Sequence, residues 1–334
     1  MMATPVFWYR QKTPGEKLLK MALLPISAVY GWVAHKRFDL YFPVPMEKPV
    51  ICVGNIVAGG AGKTPVSIAL AELLKDKGYN PHLLTRGFGG TEAGPLQVST
   101  GRDTAHDVGD EALLLVDAAP TWVAHNRPLG AQAAIDSGAS IVVMDDGFQN
   151  PVIYKDISFV VVDGGVGFGN KAVMPAGPLR EDLRIGLSRA DAAIIVGEDK
   201  TGAAECIRKR AEVPILHARL VPASDNPEVR GKKVHGFAGI GRPRKFRETL
   251  EAEGAIIEGW SEFPDHYPYD EEDLQEILDE AAKTGATPMT TAKDFMRIPE
   301  AMRDRIQKFS VRLQWNDQDA VLPLIESVLR KRGR

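Results

Sequence analysis

The feature that most constrains this chain is a glycine-rich loop at residues 59–64, which reads Gly-Gly-Ala-Gly-Lys-Thr. An apolar run, residues 50–57, precedes it, and residues 65–74 have the composition of a helix. In such a strand–loop–helix unit, successive backbone N–H groups turn toward one anion, and the helix N-terminus adds favourable partial charge. The pattern therefore predicts an α/β fold with a phosphate site at Lys63 and a Mg²⁺ ligand at the Thr64 hydroxyl.

The loop is a variant of the usual P-loop pattern. That pattern has a glycine five residues before the glycine of the Gly-Lys pair, and this chain has Val57 there. A glycine loop that only connects a strand to a helix is the alternative interpretation. The Lys-Thr pair at the start of the helix favours nucleotide binding. The candidate nucleotide-binding residues are Gly59, Gly60, Ala61, Gly62, Lys63, Thr64 and Pro65.

Length and charge narrow the class of protein. At ~150 residues per domain, 334 residues allow two domains. A formal net charge of −3 argues against a dedicated nucleic-acid binder, because phosphate contacts need clustered lysine and arginine. The cysteines, Cys52 and Cys206, match no metal or redox spacing. We expect no nucleic-acid partner, and we expect a monomer.

The N-terminal region contains an uncharged run, residues 21–34, with basic residues on both sides. The run is too short to span a bilayer, which needs ~20 apolar residues, and Pro25 should interrupt it. An apolar segment between cations, with Tyr30 and Trp32 near one end, is typical of a helix in a membrane interface. A helix docked on the protein's own core is the alternative. Both interpretations hold if the helix faces a lipid substrate.

Strand-like and helix-like stretches alternate along residues 46–222, which predicts a mostly parallel sheet flanked by helices, as in P-loop NTPases. Ligands bind at the carboxyl ends of such strands, where the P-loop, Arg86 and the pair Asp145-Asp146 fall. The Pro- and Asp-rich residues 221–232 predict a domain boundary. We expect an N-terminal helical region (1–45), a P-loop domain (46–222) and a smaller α/β domain (223–334) with strands near 234–240, 255–258, 288–291 and 310–313.

Two acidic pairs are candidates for chemistry. Asp145 and Asp146 end an apolar strand, as in a Walker B element, where a carboxylate holds Mg²⁺ directly or through water. A turn or helix cap is the alternative for that pair. Asp110 and Glu111 begin a helix, where acids also favour the helix dipole without any catalytic role.

Three further groups come from loops. His266, in an aromatic and Pro-rich loop, suits proton transfer or the orientation of a carboxylate, although a lone loop histidine is often a surface residue. Arg180 and Glu181 could present a cation to phosphate and a carboxylate to metal, or form a surface pair. Residues 291–294 (TAKD) resemble a guanine-specificity motif only loosely, because that motif separates its lysine and aspartate by one residue. ATP is therefore the expected nucleotide.

A series of stretches, in order along most of the chain, resembles the tetraacyldisaccharide 4′-kinase family of the lipid A pathway. Any one of them is a weak signal, and the ordered series is specific. The stretches are VGNI (53–56), GGAGKTP (59–65), TRGFGG (85–90), VGDE (108–111), DDGFQ (145–149), MPAGPLRE (174–181), FAGIG (237–241), FPDH (263–266) and TTAKD (290–294). The valine at position 57 is itself a feature of this family. Departures from the family pattern are Asn150 (usually His), Ala112 (commonly Pro) and Ala292 (usually Glu).

The resemblance implies an ATP- and Mg²⁺-dependent kinase that phosphorylates the 4′-hydroxyl of tetraacyldisaccharide 1-phosphate and forms lipid IVA. It implies a peripheral position on the cytoplasmic face of the inner membrane. On this basis Asp110 is the candidate base and His266 its orienting partner, and we expect them to meet when the two domains close. The remaining roles follow in the same way: Lys63 and Arg180 at the phosphates, and Thr64, Asp145, Asp146 and Glu181 at the metal.

Two rival functions keep the same loop. A P-loop switch ATPase would bind a partner or membrane without sugar chemistry, and it would not need a histidine-bearing second domain. A kinase for a soluble small molecule would keep the site but would leave the apolar N-terminal segment without a role.

Overall fold

The strands form a nine-stranded and a four-stranded sheet in the described part of this computed structural model, residues 5–9 and 13–332. Their bounds are β1 (Val50–Gly54), β2 (Pro81–Thr85), β3 (Leu96–Gln97), β4 (Thr121–Val123), β5 (Ile141–Asp145), β6 (Ile157–Asp163), β7 (Ala192–Val196), β8 (Ile215–Pro222), β9 (Lys233–Ala238), β10 (Ile256–Glu262), β11 (Thr287–Thr291), β12 (Gln307–Phe309) and β13 (Val311–Trp315).

The helices of the described residues are mostly short, apart from those at the N-terminus and after the P-loop. Their bounds are α1 (Pro14–Asp39), α2 (Lys63–Asp76), α3 (Ala105–Val108), α4 (Asp110–Leu115), α5 (Arg127–Asp136), α6 (Leu183–Leu187), α7 (Ala203–Arg208), α8 (Pro243–Ala252), α9 (Glu271–Thr284), α10 (Ala292–Phe295), α11 (Glu300–Arg303) and α12 (Val321–Arg332).

The large sheet has the order β13-β8-β7-β6-β1-β5-β2-β4-β3. Neighbouring strands from β8 to β4 are parallel, and the edge strands β13 and β3 are antiparallel. Its central strands are apolar throughout and buried on both faces, as parallel strands covered by helices are. The predicted fold class, a mostly parallel P-loop-type sheet flanked by helices, is confirmed.

The small sheet has the order β10-β9-β11-β12 and is parallel in every pair. Helix α9 packs Leu274 and Ile277 against Phe237 on one face, and α8 packs Phe246 and Leu250 on the other. A second, smaller α/β unit therefore exists, as the sequence predicts.

The end of the chain returns to the large sheet. Strand β13 pairs antiparallel with β8, and α12 buries Val321 and Ile325 in the same core as α2. The strand expected near residues 310–313 is present, but its expected place in the second unit is wrong. Leu313 of this strand packs in the core under the large sheet. The apolar pattern of the sequence cannot show which of the two sheets the strand joins. The domain limits 1–45, 46–222 and 223–334 stay a prediction.

The N-terminal helix α1 is longer than the sequence suggests. It has 26 residues, begins with a capping box between Thr13 and Glu16, and continues through Pro25. The expectation that Pro25 interrupts the segment is wrong, since one proline removes only one backbone hydrogen bond of a long helix. Among the described residues it is the one helix long and apolar enough to cross a membrane, and only 6% of its most apolar window is buried.

Candidate active site

The P-loop joins β1 to α2 at the carboxyl edge of the large sheet. Gly62 caps α2 with a φ of 87°, a left-handed conformation that favours glycine. The Asn55 amide donates a 3.3 Å hydrogen bond to the Gly59 carbonyl and holds the start of the loop. Lys63 is only 9% exposed, and its Nζ lies 3.6 Å from Asp146 Oδ2. The loop thus has the form of an anion cradle with a cation at its mouth.

Val57 has a structural reason for standing where the usual pattern has glycine. Residues 56–58 lie beside residues 178–180: Ala58 N donates to Pro178 O at 2.7 Å, and Arg180 N donates to Ile56 O at 2.8 Å. Val57 bridges Leu179 and is buried. An apolar side chain at this position therefore anchors the loop that carries Arg180.

Asp145 ends β5 and is fully buried beside the start of α2. Its Oδ2 accepts from the Thr64 hydroxyl at 3.1 Å, and its Oδ1 accepts from the Ser67 hydroxyl at 2.8 Å. Burial, with the charge of Glu111 added, raises the pKa of Asp145 to about 7 despite the opposing charge of Lys63. A buried carboxylate between hydroxyls gains from a nearby hard cation.

Asp146 lies between two cations. Arg180 donates to Asp146 Oδ1 at 3.0 Å, opposite Lys63. Burial alone would raise the pKa of Asp146, but the charges of Lys63 and Arg180 outweigh it and lower that pKa. Asp146 has a φ of 50°, which aspartate tolerates better than most residues. This ion-pair group places two cations and an ionised carboxylate at the mouth of the P-loop.

Glu181 is held in a different group. Its Oε2 accepts from Arg189 at 2.6 Å and its Oε1 from Gln149 at 3.0 Å, and it is 3% exposed. Gln149 also bonds Arg180 through its carbonyl oxygen at 3.1 Å. The structure therefore brings Thr64 and Asp145 into contact, whereas Glu181 is connected to Asp146 through Gln149 and Arg180. Its role as a metal ligand stays a prediction.

Asp110 begins α4 and is 3% exposed. Its Oδ2 lies 3.1 Å from His266 Nδ1 and 3.2 Å from Arg297 Nε, both on the second unit. Burial by itself raises the pKa of Asp110, but the hydrogen bond with His266 and the charges of Lys293 and Arg297 hold it below the usual carboxyl value. A carboxylate kept ionised in a buried position can accept a proton from a bound hydroxyl.

A cavity of about 400 Å³ lies next to the P-loop and reaches the second unit. Its lining includes Gly59 and Gly60 of the loop, Asp163 at the end of β6, and Arg242 and Asp265 of the second unit. Arg242 Nη1 forms an ion pair with Asp163 Oδ2 at 2.7 Å across the two units. The cavity thus extends from the phosphate loop to Asp265, the residue before His266 in the chain.

Comparison with known proteins identifies this arrangement. The family model described as LpxK, tetraacyldisaccharide-1-P 4′-kinase, matches residues 19–330. The chain belongs to this family. Curated tetraacyldisaccharide 4′-kinases from Paramagnetospirillum magneticum and Rhodospirillum centenum are 47% and 46% identical to it, over 98% of this chain and 99% and 97% of theirs. A crystal structure of LpxK from Aquifex aeolicus in complex with ATP matches with a TM-score of 0.75 and 25% identity, over 93% of this chain and 99% of that one.

Of the three departures from the tetraacyldisaccharide 4′-kinase pattern, the structure gives a local explanation for Asn150 and Ala112. The side-chain oxygen Oδ1 of Asn150 accepts a hydrogen bond from Val152 N at 2.9 Å, so this side chain closes a turn. Ala112 is fully buried against Val108 and Leu113, which leaves little room for a larger residue. Nothing in the structure explains Ala292 at the start of α10.

Sequence reasoning missed two cations of the site, Lys293 and Arg297. Lys293 stood in the TTAKD stretch, which was weighed for guanine binding and as part of the family resemblance but was given no role in the site. Its Nζ lies 3.2 Å from Glu111 Oε1. No sequence motif marked Arg297 as functional, since a lone arginine after a short helix is common. Its guanidinium donates to backbone carbonyls of Tyr267 and Gly239 as well as facing Asp110.

Proposed function

We propose that this protein transfers the γ-phosphate of ATP to the 4′-hydroxyl of tetraacyldisaccharide 1-phosphate and so forms lipid IVA in lipid A biosynthesis. Membership of the kinase family supports the substrate and the reaction. The observation that carries the proposal is the contact of Asp110 with His266 beside a P-loop, because a phosphate-binding loop alone also serves switch ATPases. A buried, oriented carboxylate is what an alcohol acceptor requires.

ATP enters with its phosphates on residues 59–65 and its nucleoside in the 400 Å³ cavity. The apolar lining of that cavity near the loop, Val57, Ala58 and Val166, suits a base, and Asp163 and Arg242 supply polar groups. Lys63 and Arg180 neutralise the phosphates from two sides. Binding of ATP to a relative in this family supports the nucleotide.

Mg²⁺ fits the oxygen groups around Asp145. The Thr64 hydroxyl and the Asp145 carboxylate are hard oxygen ligands 3.1 Å apart, and the raised pKa of Asp145 shows that burial and the charge of Glu111 outweigh the charge of Lys63. The described residues hold no group of three or more His, Cys, Asp or Glu suited to a metal, so triphosphate and water must supply the other ligands. When bound, the ion neutralises charge on the transferring phosphoryl group.

The chain's own residues carry out the rest of the reaction. Asp110 accepts the proton of the 4′-hydroxyl as the acceptor oxygen attacks phosphorus, and Lys63 and Arg180 balance charge on the phosphates. Such transfer depends mainly on positioning and electrostatics. The contacts of Asp110 with His266 and Arg297 fix its orientation.

Helix α1 brings the acylated acceptor to the site from a membrane surface. Its large apolar side chains are exposed, including Leu18, Ile26, Val29 and Trp32 at 57–68%. Its inner face is tied to the kinase domain where Ser27 Oγ accepts from Ala176 N at 3.0 Å. Exposed apolar residues between basic flanks suit an interfacial helix. We accordingly place a monomeric enzyme peripherally on the cytoplasmic face of the inner membrane.

A labelled-phosphate assay tests the function. The protein is incubated with γ-labelled ATP, Mg²⁺ and tetraacyldisaccharide 1-phosphate in mixed micelles, and products are separated by thin-layer chromatography. A labelled lipid that depends on the acceptor is the expected result. Label released only as inorganic phosphate, at a rate indifferent to the acceptor, would instead support the switch ATPase. Label on a water-soluble acceptor, with none on the lipid, would support the small-molecule kinase.

A further inference from the structure

Lys293 lies against the ring nitrogen of His266 that faces away from Asp110. Its Nζ is 3.2 Å from His266 Nε2 and 3.2 Å from Glu111 Oε1. Asp265 Oδ1 lies further away, 3.8 Å from both Nζ and Nε2. The lysine is 21% exposed and reaches across the two units from the start of α10. Its contact with the imidazole is closer than that of any carboxylate on the same side of the ring.

Hydrogen-bond polarity restricts the protonation of this imidazole. An ammonium group has only donors, so the nitrogen it faces must be the acceptor. The ionised Asp110 carboxylate has only acceptors, so Nδ1 must be the donor. One form of histidine meets both conditions, the neutral ring with its proton on Nδ1. A doubly protonated ring would place an N–H against Lys293, and the opposite tautomer would mismatch both neighbours.

The charges around His266 are consistent with this assignment. The carboxylates of Asp110 and Asp265 lie 3.1 and 3.8 Å from its ring nitrogens. Around them, Glu111 pairs with Lys293 and Arg297 with Asp110. The Phe88 ring packs edge-on against the imidazole, with ring centroids 5.2 Å apart. Burial alone would lower the pKa of Lys293, but the charges of Glu111, Asp110 and Asp265 raise it above its usual value. The lysine therefore stays an ammonium group, and the acidic side chains are matched by it and by Arg297.

We propose that Lys293 is a positioning residue that fixes His266 as the neutral, Nδ1-protonated tautomer, so that the imidazole orients Asp110 but does not relay its proton. This rests on the proposed function. The acceptor O–H bond breaks and its proton goes to an Asp110 oxygen, while the oxygen's electron pair forms the new O–P bond and the old bond's pair leaves with ADP. His266 could take that proton only at Nε2, which Lys293 occupies.

Nitrogen NMR of the histidine ring tests the tautomer without any turnover. The full-length chain, labelled with ¹⁵N-histidine and held in detergent micelles, is observed by two-bond ¹H–¹⁵N correlation at pH 7.5, and a His266→Gln spectrum assigns the signals. We expect a protonated Nδ1 and an unprotonated Nε2. An Nε2–H form, or a ring protonated on both nitrogens, in the wild-type protein would overturn the proposal.

Substitution of the lysine gives the second readout. Lys293→Met should produce a mixture of tautomers and lower kcat by about 10–100-fold with little change in KM for ATP, as removal of an outer partner of a functional histidine does. Lys293→Arg, which also offers only donors, should restore the Nδ1–H signal and most of kcat. The matched control is Lys283→Met, an exposed lysine of α9.

The experiments distinguish a failure of this proposal from a failure of the proposed function. A Lys293→Met spectrum identical to that of the wild type, or a Lys293→Arg variant as impaired as Lys293→Met, would contradict the positioning role. If the wild-type protein phosphorylates no lipid acceptor, the proposed function fails, but the tautomer of His266 is still measured. The wild-type spectrum also decides the assignment if the methionine variant does not fold.

Discussion

The two ends of the site are built in different ways. The phosphate end comes mainly from one short loop, residues 59–65, with Asp145 and Asp146 delivered by the neighbouring strand β5. The acceptor end is assembled from distant parts of the chain, with Asp110 and His266 separated by 156 positions. Local geometry is enough to form an anion cradle, whereas the oriented carboxylate that we propose as the base requires two folded units in contact.

The electrostatics of the two ends also differ. Asp145, at the phosphate end, has a raised pKa because its burial and the charge of Glu111 outweigh the charge of Lys63 and the hydrogen bond from Ser67. Asp110, at the acceptor end, has a lowered pKa because His266, Lys293 and Arg297 outweigh its burial. The cations that the protein places near Asp145 are therefore too weak to offset its burial, whereas those around Asp110 are strong enough. The following experiments test that contrast, from the largest expected effect to the smallest.

Lys63→Met should have the largest effect, because we propose that Lys63 serves nucleotide binding and turnover together. We expect kcat/KM for ATP to fall by about 10⁴-fold, from a lost charge-assisted contact and lost transition-state stabilisation. Steady-state kinetics and equilibrium nucleotide binding measure the two parts. A variant that binds ATP as tightly as the wild type would show that Lys63 does not contact the phosphates in the ground state.

Asp110→Asn should affect the acceptor end alone. Loss of the general base should lower kcat by about 10³-fold and leave the affinity for ATP unchanged. Single-turnover transfer to the lipid acceptor and nucleotide binding by titration calorimetry check both halves. Near-normal turnover would remove Asp110 from the role of base.

The two carboxylates should give opposite dependences of stability on pH in metal-free buffer. The folded Asp145 has a pKa of about 7, whereas the unfolded residue ionises near the usual pKa of 3.8. The wild type should therefore lose stability relative to Asp145→Asn between pH 4 and 7, with a slope approaching ~1.4 kcal/mol per pH unit. Asp110 stabilises the fold when ionised, since its pKa is lowered.

For that reason, the stability that wild type holds over Asp110→Asn should be constant from about pH 5 to 8. It should disappear as the pH falls through the lowered pKa of the folded Asp110. Urea unfolding of both variants and the wild type across this range, with a chelator present, measures the two curves. If the stability differences between wild type and the two variants changed with pH in the same direction, the two ends would not differ in their electrostatics.

Gly109→Ala tests how tightly the acceptor end is packed. Gly109 precedes α4 with φ 83° and ψ 149°, and an added Cβ would meet the Phe88 carbonyl oxygen at 2.5 Å. We expect a loss of about 2–3 kcal/mol of unfolding free energy and a lower kcat. Gly285→Ala is the matched control: its φ is also positive, but a Cβ there meets nothing within 4 Å, so we expect about 1 kcal/mol. Equal losses would argue against the close approach.

Substitutions on α1 should have the smallest effect on the fold and none on nucleotide binding. Ile26→Gln with Val29→Gln removes two exposed apolar side chains, 57% and 64% exposed. Unfolding free energy should change by less than about 0.5 kcal/mol, while partitioning into phospholipid vesicles and use of the acylated acceptor should fall. Leu129→Gln, an exposed leucine on α5, is the control. Unchanged vesicle binding would count against the interfacial helix.

The phosphate end of the site could be predicted from the sequence more fully than the acceptor end. The P-loop, the helix α2 that follows it and the strand ending at Asp145 could be read from sequence, because each depends on local spacing. The family resemblance supplied Asp110 and His266 as partners. Arg297, the contact of Lys293 with His266, and the return of β13 to the large sheet could not be read, since each depends on which distant segments pack together.

The sequence by itself determined the α/β alternation, the anion-binding loop and the apolar N-terminal segment, because backbone periodicity and glycine placement act over a few residues. Only the tertiary structure decided that the burial of Asp145 outweighs the charge of Lys63 and that Asp110 is surrounded by His266, Lys293 and Arg297. The physical reason is that burial and charge act through space. The protonation state of a carboxylate is set by neighbours that may lie anywhere along the chain.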